Sequence, residues 1–232
     1  MNRGLLAVIA VVAAAGWYGA HQLVSQGNPR GASGIRVAVG ETSPPSAADA
    51  IPTPVPGALP APRIPERIPP FTLPDLSGRP TAISAYDGRS LIINFWATWC
   101  APCRREIPLL KTVDAAWKDR RFQVLGIAVD RRAQVASFAQ KLRISYPLLA
   151  GQQDALDVAA AFGVATPAFP FTVFTDAHRR IVALYLGELH RPQINLILGV
   201  VQRVNDGHLG LPQARHAIDA GLAQLQAESA AG

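Results

Sequence analysis

"NFWATWCAPCRREIP", residues 94–108, carries both cysteines of a 232-residue chain. An apolar run precedes the pair and a helix-forming run follows it, so the sulfurs sit where a buried strand hands over to a helix. Two cysteines are too few for a framework of several disulfides. They are also too few for a four-ligand zinc site, and none of the five histidines lies near them in sequence. Arg104 follows the second cysteine, which excludes the C-x-x-C-H pattern of haem attachment. A static disulfide here would close a loop of a few residues and add little stability. Redox chemistry between the two sulfurs remains.

The flanking pattern supports that reading. "LIINFWA", 91–97, is apolar on both faces and reads as a central strand, and "TAISAY", 81–86, reads as another strand. Residues 101–119 read as a helix with Ile107, Leu110, Val113 and Trp117 on its apolar positions. "FQVLGIAVD", 122–130, is a second buried strand, followed by helices over about 132–142 and 152–162. "FTVFTDAHRRIVALYLG", 171–187, gives two strands around a turn at Asp176–Arg179, and helices over about 191–205 and 212–228 follow. This alternation predicts an α/β fold with a central mixed sheet flanked by helices.

On that framework Cys100 falls at a helix N-terminus, where free backbone N–H groups and the helix dipole favour a thiolate. Only the thiolate attacks a disulfide, so Cys100 is the expected nucleophile. Cys103, one turn later on the same face, is the expected resolving thiol. Pro102 suits the first turn, where its missing N–H costs nothing. Trp99 offers an apolar rim for a substrate chain. Glu106 lies at i, i+3 from Cys103, close enough to take or return its proton, unless it is a surface partner of Arg104 or Arg105.

The rest of the chain divides by composition. Residues 1–26 combine a basic start, an apolar stretch to about position 20 and the aromatic pair Trp17-Tyr18. They are expected to form a signal anchor or transmembrane helix; a signal peptide cut near Ala13–Ala15 is the competing reading. Residues 27–67 are dense in proline and poor in aromatics, which suits an extended spacer. Residues 68–210 form the expected folded domain and 211–232 a helical extension, with Ile218, Leu222 and Leu225 on one face. The net charge of +6 comes from scattered arginine pairs with no long basic run or phosphate loop, so nucleic acid is not an expected partner. His178, His190, His208 and His216 are dispersed and expected to face solvent, and no metal site is expected. Phe95, Trp96, Trp117, Phe122 and Phe138 are expected to pack in or around the core.

"FWATWCAPCRREIP" resembles the active site of the TlpA/ResA-like branch of the thioredoxin superfamily, and the similarity runs over roughly residues 68–205. The resemblance implies a thioredoxin-like fold and an exported, membrane-tethered thiol–disulfide oxidoreductase. It matches Glu106 to the branch's active-site glutamate. Asn94 stands where general thioredoxins carry a buried acid, a departure that fits the branch. In "ATPAFPFTVFTD", 165–176, the resemblance assigns Pro170 as a cis-proline facing the cysteines, with Pro167 as a rival. The backbone of Phe169 would then pair with an extended substrate. The expected site is therefore Cys100, Cys103, Glu106 and Pro170 for catalysis, with Trp99, Ala101, Pro102 and Phe169 for substrate. A redox-active disulfide takes the place of any cofactor.

The leading functional expectation is a protein-disulfide reductase, anchored in the cytoplasmic (inner) membrane with its catalytic domain on the periplasmic or extracytoplasmic side. Its partners would be a disulfide-bearing exported protein and a membrane thiol-transfer protein as electron donor. The resemblance suggests cytochrome c maturation or copper-oxidase assembly. A disulfide oxidant or isomerase on the same fold, a copper-binding assembly factor and a structural tether are the alternatives. Peroxide reduction is disfavoured, because related redoxin domains use a threonine-assisted single cysteine where this chain has WCAPC.

Overall fold

The protein is described by a computed structural model, in which residues 64–164 and 168–231 are placed. The expected anchor and most of the expected spacer lie outside the described residues. Among those described, no helix is long and apolar enough to cross a membrane.

Strand β3 (Ser90–Trp96) is buried along its whole length and forms the centre of a five-stranded sheet. On one side it pairs in parallel with β4 (Phe122–Val129), which pairs in parallel with β5 (Leu148–Gly151). On the other it pairs antiparallel with β6 (Phe171–Thr175), and β6 pairs antiparallel with β7 (Ile181–Leu186). The order β5-β4-β3-β6-β7 makes a mixed sheet, as the alternation of elements predicts. A small separate sheet joins β1 (Thr72–Pro74) to β2 (Pro80–Ala82).

Side chains alternate across β3. Leu91, Ile93 and Phe95 face the layer that contains helix α3 (Gln153–Ala161), with Phe162 and the β1 region. Ile92 and Trp96 face the opposite layer, built on α1 (Ala101–Trp117), α2 (Arg132–Leu142), α4 (Arg191–Asn205) and α5 (Leu211–Ala231). Asn94 shares their parity, so an amide points from the central strand towards α1. The terminal helix α5 buries Ala214 and Ile218 in that layer, and Arg215 donates to the carbonyl of Ile181 at 2.7 Å.

Both sheet edges are partly occupied. The N–H of Ile181 donates to Glu66 at 2.8 Å and that of Ile68 to Arg179 at 3.0 Å, so the chain already bonds to β7 at Glu66. Asp75 bridges to Leu149 on β5.

Two local expectations change. "TAISAY" is strand only at its start, because Ile83–Tyr86 winds into a 3-10 turn whose closing bond runs from Asp87 N–H to the Ser84 carbonyl. Strand β5 was not expected, since its four residues, ending at Gly151, are too few to show a period.

Candidate active site

The strand-to-helix handover at residues 97–101 puts Cys100 at the N-cap of α1. There its sulfur accepts from the N–H of Cys103 at 3.2 Å. The two cysteines are joined as a disulfide. Cys100 retains 5% exposure while Cys103 has none, so of the two cysteines only Cys100 reaches the surface. That asymmetry agrees with nucleophile and resolving roles. Ala101 and Pro102 form the first positions of α1 beside the disulfide, with Pro102 in the turn that needs no N–H donor. The hydroxyl of Thr98 donates to Asp130 at the end of β4, fixing the approach to Trp99 and Cys100.

Glu106 is not a surface partner of its neighbouring arginines. It is 1% exposed, one turn beyond Cys103, and both carboxylate oxygens are held. The Asn94 amide donates to Oε1 at 2.7 Å, and the backbone N–H of Leu189 donates to Oε2 at 3.0 Å. The same Asn94 nitrogen donates to Thr172 on β6 at 3.0 Å. Burial pushes the Glu106 carboxyl up to about 7; the Leu189 and Asn94 donors oppose this, and the charge of Glu188 adds to it. A carboxyl near 7 exchanges protons readily at neutral pH, the requirement for serving a thiol during exchange.

Glu188 is held in turn by Arg105, whose Nε lies 3.0 and 3.1 Å from the two carboxylate oxygens. This pairing keeps the Glu188 carboxyl below the ordinary carboxylate range. Sequence reasoning missed Leu189, Glu188, Thr172 and the Thr98–Asp130 bond. The first three join elements about 80 residues apart, and no local spacing carries that signal.

The Phe169–Pro170 peptide bond is cis, and Pro170 is buried directly before β6. The rival Pro167 lies outside the described residues. The Pro170 carbonyl accepts from Gly187 at 2.9 Å, so the β7–α4 loop touches the proline segment as well as Glu106. Gly187 has φ +99°, a conformation that favours glycine. Trp99 is 69% exposed and meets the half-buried Phe169 edge-on, with ring centroids 6.1 Å apart. An apolar ledge therefore adjoins Cys100.

The four histidines are exposed and dispersed, and no group of three potential metal-binding side chains occurs among the described residues. Phe95 and Trp96 are fully buried, Phe122 nearly so, and Trp117 and Phe138 pack partly buried against the core.

The AhpC/TSA family model matches residues 64–185, more than half of the chain. The chain belongs to the AhpC/TSA family. The resemblance to the TlpA/ResA-like branch holds: a thiol-disulfide oxidoreductase ResA from Geobacillus thermodenitrificans is 29% identical over 127 residues, 54% of this chain and 71% of that protein. A solution structure from Bacteroides thetaiotaomicron, described as a protein disulfide isomerase, is 27% identical with a TM-score of 0.52. It covers 62% of this chain and 89% of that one. A crystal structure of a thiol:disulfide interchange protein DsbE from Chlorobium tepidum, 20% identical with a TM-score of 0.51, covers 60% of this chain and 95% of its own. This last likeness concerns the fold alone, which is thioredoxin-like. The expected enzyme class, thiol–disulfide oxidoreductase, is the class of the ResA relative, and the Cys100–Cys103 disulfide is the group through which such chemistry runs.

Proposed function

We propose that this chain is an exported, membrane-tethered protein-disulfide reductase. The observation that carries the reading is the pairing of one accessible sulfur at a helix N-terminus with a second, buried sulfur one turn from a buried carboxyl titrating near 7.

In the reduced protein the Cys100 thiolate attacks one sulfur of a substrate disulfide. The Cys100–substrate bond forms, the substrate S–S bond breaks, and the departing sulfur takes a proton to become a thiol. Glu106, as carboxylate, accepts the proton of Cys103. The Cys103 thiolate then attacks Cys100 and expels the second substrate sulfur, which is protonated in its turn. Two electrons have passed to the substrate, and the chain is left as the Cys100–Cys103 disulfide. The dithiol of a membrane thiol-transfer protein returns it to the reduced form by the reverse exchange.

Trp99 and Phe169 receive the substrate chain, with Ala101 and Pro102 as the floor beside Cys100. The backbone of Phe169, held by Pro170, pairs with the substrate in extended form. The apolar stretch near the start of the sequence supports tethering and an extracytoplasmic domain. Cysteines of apocytochrome c or of a copper site under assembly are the substrates the family resemblance favours.

Equilibration with defined thiol buffers measures the direction. A potential near about −270 mV supports the reductase; one near about −120 mV would make the protein an oxidant.

A further inference from the structure

We infer that a cationic cleft beside Cys100 docks an acidic segment of the protein substrate. The inference rests on the thiol-exchange reading above and names the kind of partner that reading requires.

The cleft is a shallow, largely open depression of about 500 Å³ between the N-terminal end of α1 and the exposed face of α2, lined in part by Thr98, Arg104, Gln134, Ser137, Phe138 and Lys141. Thr98 lies two residues before Cys100 and Arg104 directly follows Cys103, so residues next to the dithiol in the chain border the cleft, although neither cysteine lines it. It lies on the opposite side of β3 from Phe169, because α2 follows β4 whereas Phe169 precedes β6. A chain lying across Cys100 thus meets the Trp99–Phe169 ledge on one flank and this cleft on the other.

Its charge is predominantly positive. Arg104 and Lys141 are exposed, and among the described residues neither forms an ion pair, whereas the adjacent Arg105 is locked onto Glu188. Arg131 is exposed at the head of α2 and adds to the positive field. The nearby carboxylate, Asp130, is already engaged by the Thr98 hydroxyl and by the N–H of Arg131 at 2.7 Å. Those donors are neutral and leave the Asp130 charge in place, so the region carries an excess of positive charge: Arg104, Lys141 and Arg131 against one carboxylate. Arg104 offers a planar fork suited to a carboxylate, Lys141 a point charge, and the Phe138 ring, packed on Trp96, an apolar floor. Complementary charge at such a rim speeds encounter and sets the orientation of the incoming chain. An anionic bilayer is the poorer occupant: a flat surface pressed onto the cleft would cover Cys100 and Trp99 and bar the substrate.

The test uses the full chain and two disulfide-forming peptides identical except that paired aspartates or paired lysines flank the cysteines. Exchange is followed in both directions, reduced protein with oxidised peptide and oxidised protein with reduced peptide, so the result holds whichever way electrons flow. The acidic peptide is expected to be favoured about tenfold in kcat/KM, chiefly through KM, with the preference fading at about 0.5 M salt. Lys141→Glu should erase or reverse the preference and Lys141→Arg should keep it. Equal rates for the two peptides, or a preference untouched by both Lys141→Glu and Arg104→Gln, would overturn the docking site while leaving thiol exchange standing. Lys141-dependent sedimentation with phosphatidylglycerol vesicles, without a peptide preference, would overturn it in favour of a membrane contact. Exchange with neither peptide in either direction would overturn both readings.

Discussion

Asn94 and Glu106 meet inside the core, with the amide nitrogen of one 2.7 Å from a carboxylate oxygen of the other. The contact follows from two periodicities. Asn94 shares a face of β3 with Ile92 and Trp96, and Glu106 shares the inner face of α1 with Cys103, Ile107 and Leu110. A polar pair is thereby placed one helical turn below the disulfide, where water is excluded and a charge is costly.

The first prediction is a pH dependence of stability. The Glu106 carboxyl titrates at about 7 in the folded chain against an ordinary value of 4.5. As pH rises, the unfolded carboxyl ionises first, so this residue's contribution to stability is fully present below about 4.5 and is lost as pH climbs through about 7. The loss amounts to about 3 kcal/mol. Tyr146 and Tyr185 feel the same carboxyl, but burial and its charge hold both phenols above their ordinary range, so they stay neutral throughout. Urea denaturation of the oxidised protein across pH 5 to 8 (conditions set by that titration) should show the decline, and Glu106→Gln should flatten it. The variant can be accommodated because Asn94 Oδ1 has no partner among the described residues, so the Asn94 amide can turn over to face the new NH₂ group.

The same titration should appear in catalysis. Wild-type exchange should inflect near pH 7, and Glu106→Gln should remove that inflection while Cys100 remains reactive. Stopped-flow rates with a disulfide peptide against pH measure it. An unchanged profile would leave Glu106 with a packing role only.

Arg105 should act on the site without touching it. Arg105→Gln frees the charge of Glu188, which pushes the Glu106 carboxyl up, and loosens the loop that presents the Leu189 N–H, which pushes it the same way. A carboxyl-carbon NMR titration should therefore find Glu106 titrating higher in the variant. Because Arg105 is exposed, the change in stability should be small beside the change in the Glu106 titration.

The two sulfurs should fail differently. Cys103→Ser leaves the accessible thiol without a resolving partner, so incubation with an oxidised peptide should accumulate a mixed disulfide visible by intact-mass spectrometry. Cys100→Ser should form no adduct, since Cys103 has no exposed surface.

Three aromatics in a row separate binding from folding. Trp99 is exposed, Phe169 half-buried and Phe171 fully buried, with Phe169 and Phe171 stacked at 6.3 Å. Trp99→Ala should change stability by under about 0.5 kcal/mol, yet lower kcat/KM for a protein substrate about tenfold. Phe171→Ala should cost about 3–5 kcal/mol, because the ring is also stacked on Phe95 at 4.3 Å.

Much of this was legible in the sequence because it is local. Residues 90–117 carry strand, turn and helix in one run, and both cysteines, Trp99, Pro102 and Glu106 fall on them at readable spacings. The strands 122–129 and 171–175 were equally plain from their continuous apolar character. The geometry around Pro170 came from resemblance, since a proline by itself favours the trans bond. What spacing could not show is that Glu106 is buried: an i, i+3 relation to Cys103 is shared by surface residues, and its donors come from β3 and from a loop 83 residues on. The cleft on α2 was hidden for the same reason, because Arg104 and Lys141 meet only once β4 has placed α2 beside α1.

The partly occupied sheet edges bear on how this chain behaves among unfolded chains. An exposed edge strand is a template for unwanted β-pairing. Here the start of β7 is already bonded by Glu66–Ile68, the Ile181 carbonyl is taken by Arg215, and β5 is bridged by Asp75. A foreign strand seeking those positions must displace existing bonds. Both edges of the five-stranded sheet are thus partly shielded from pairing with other chains.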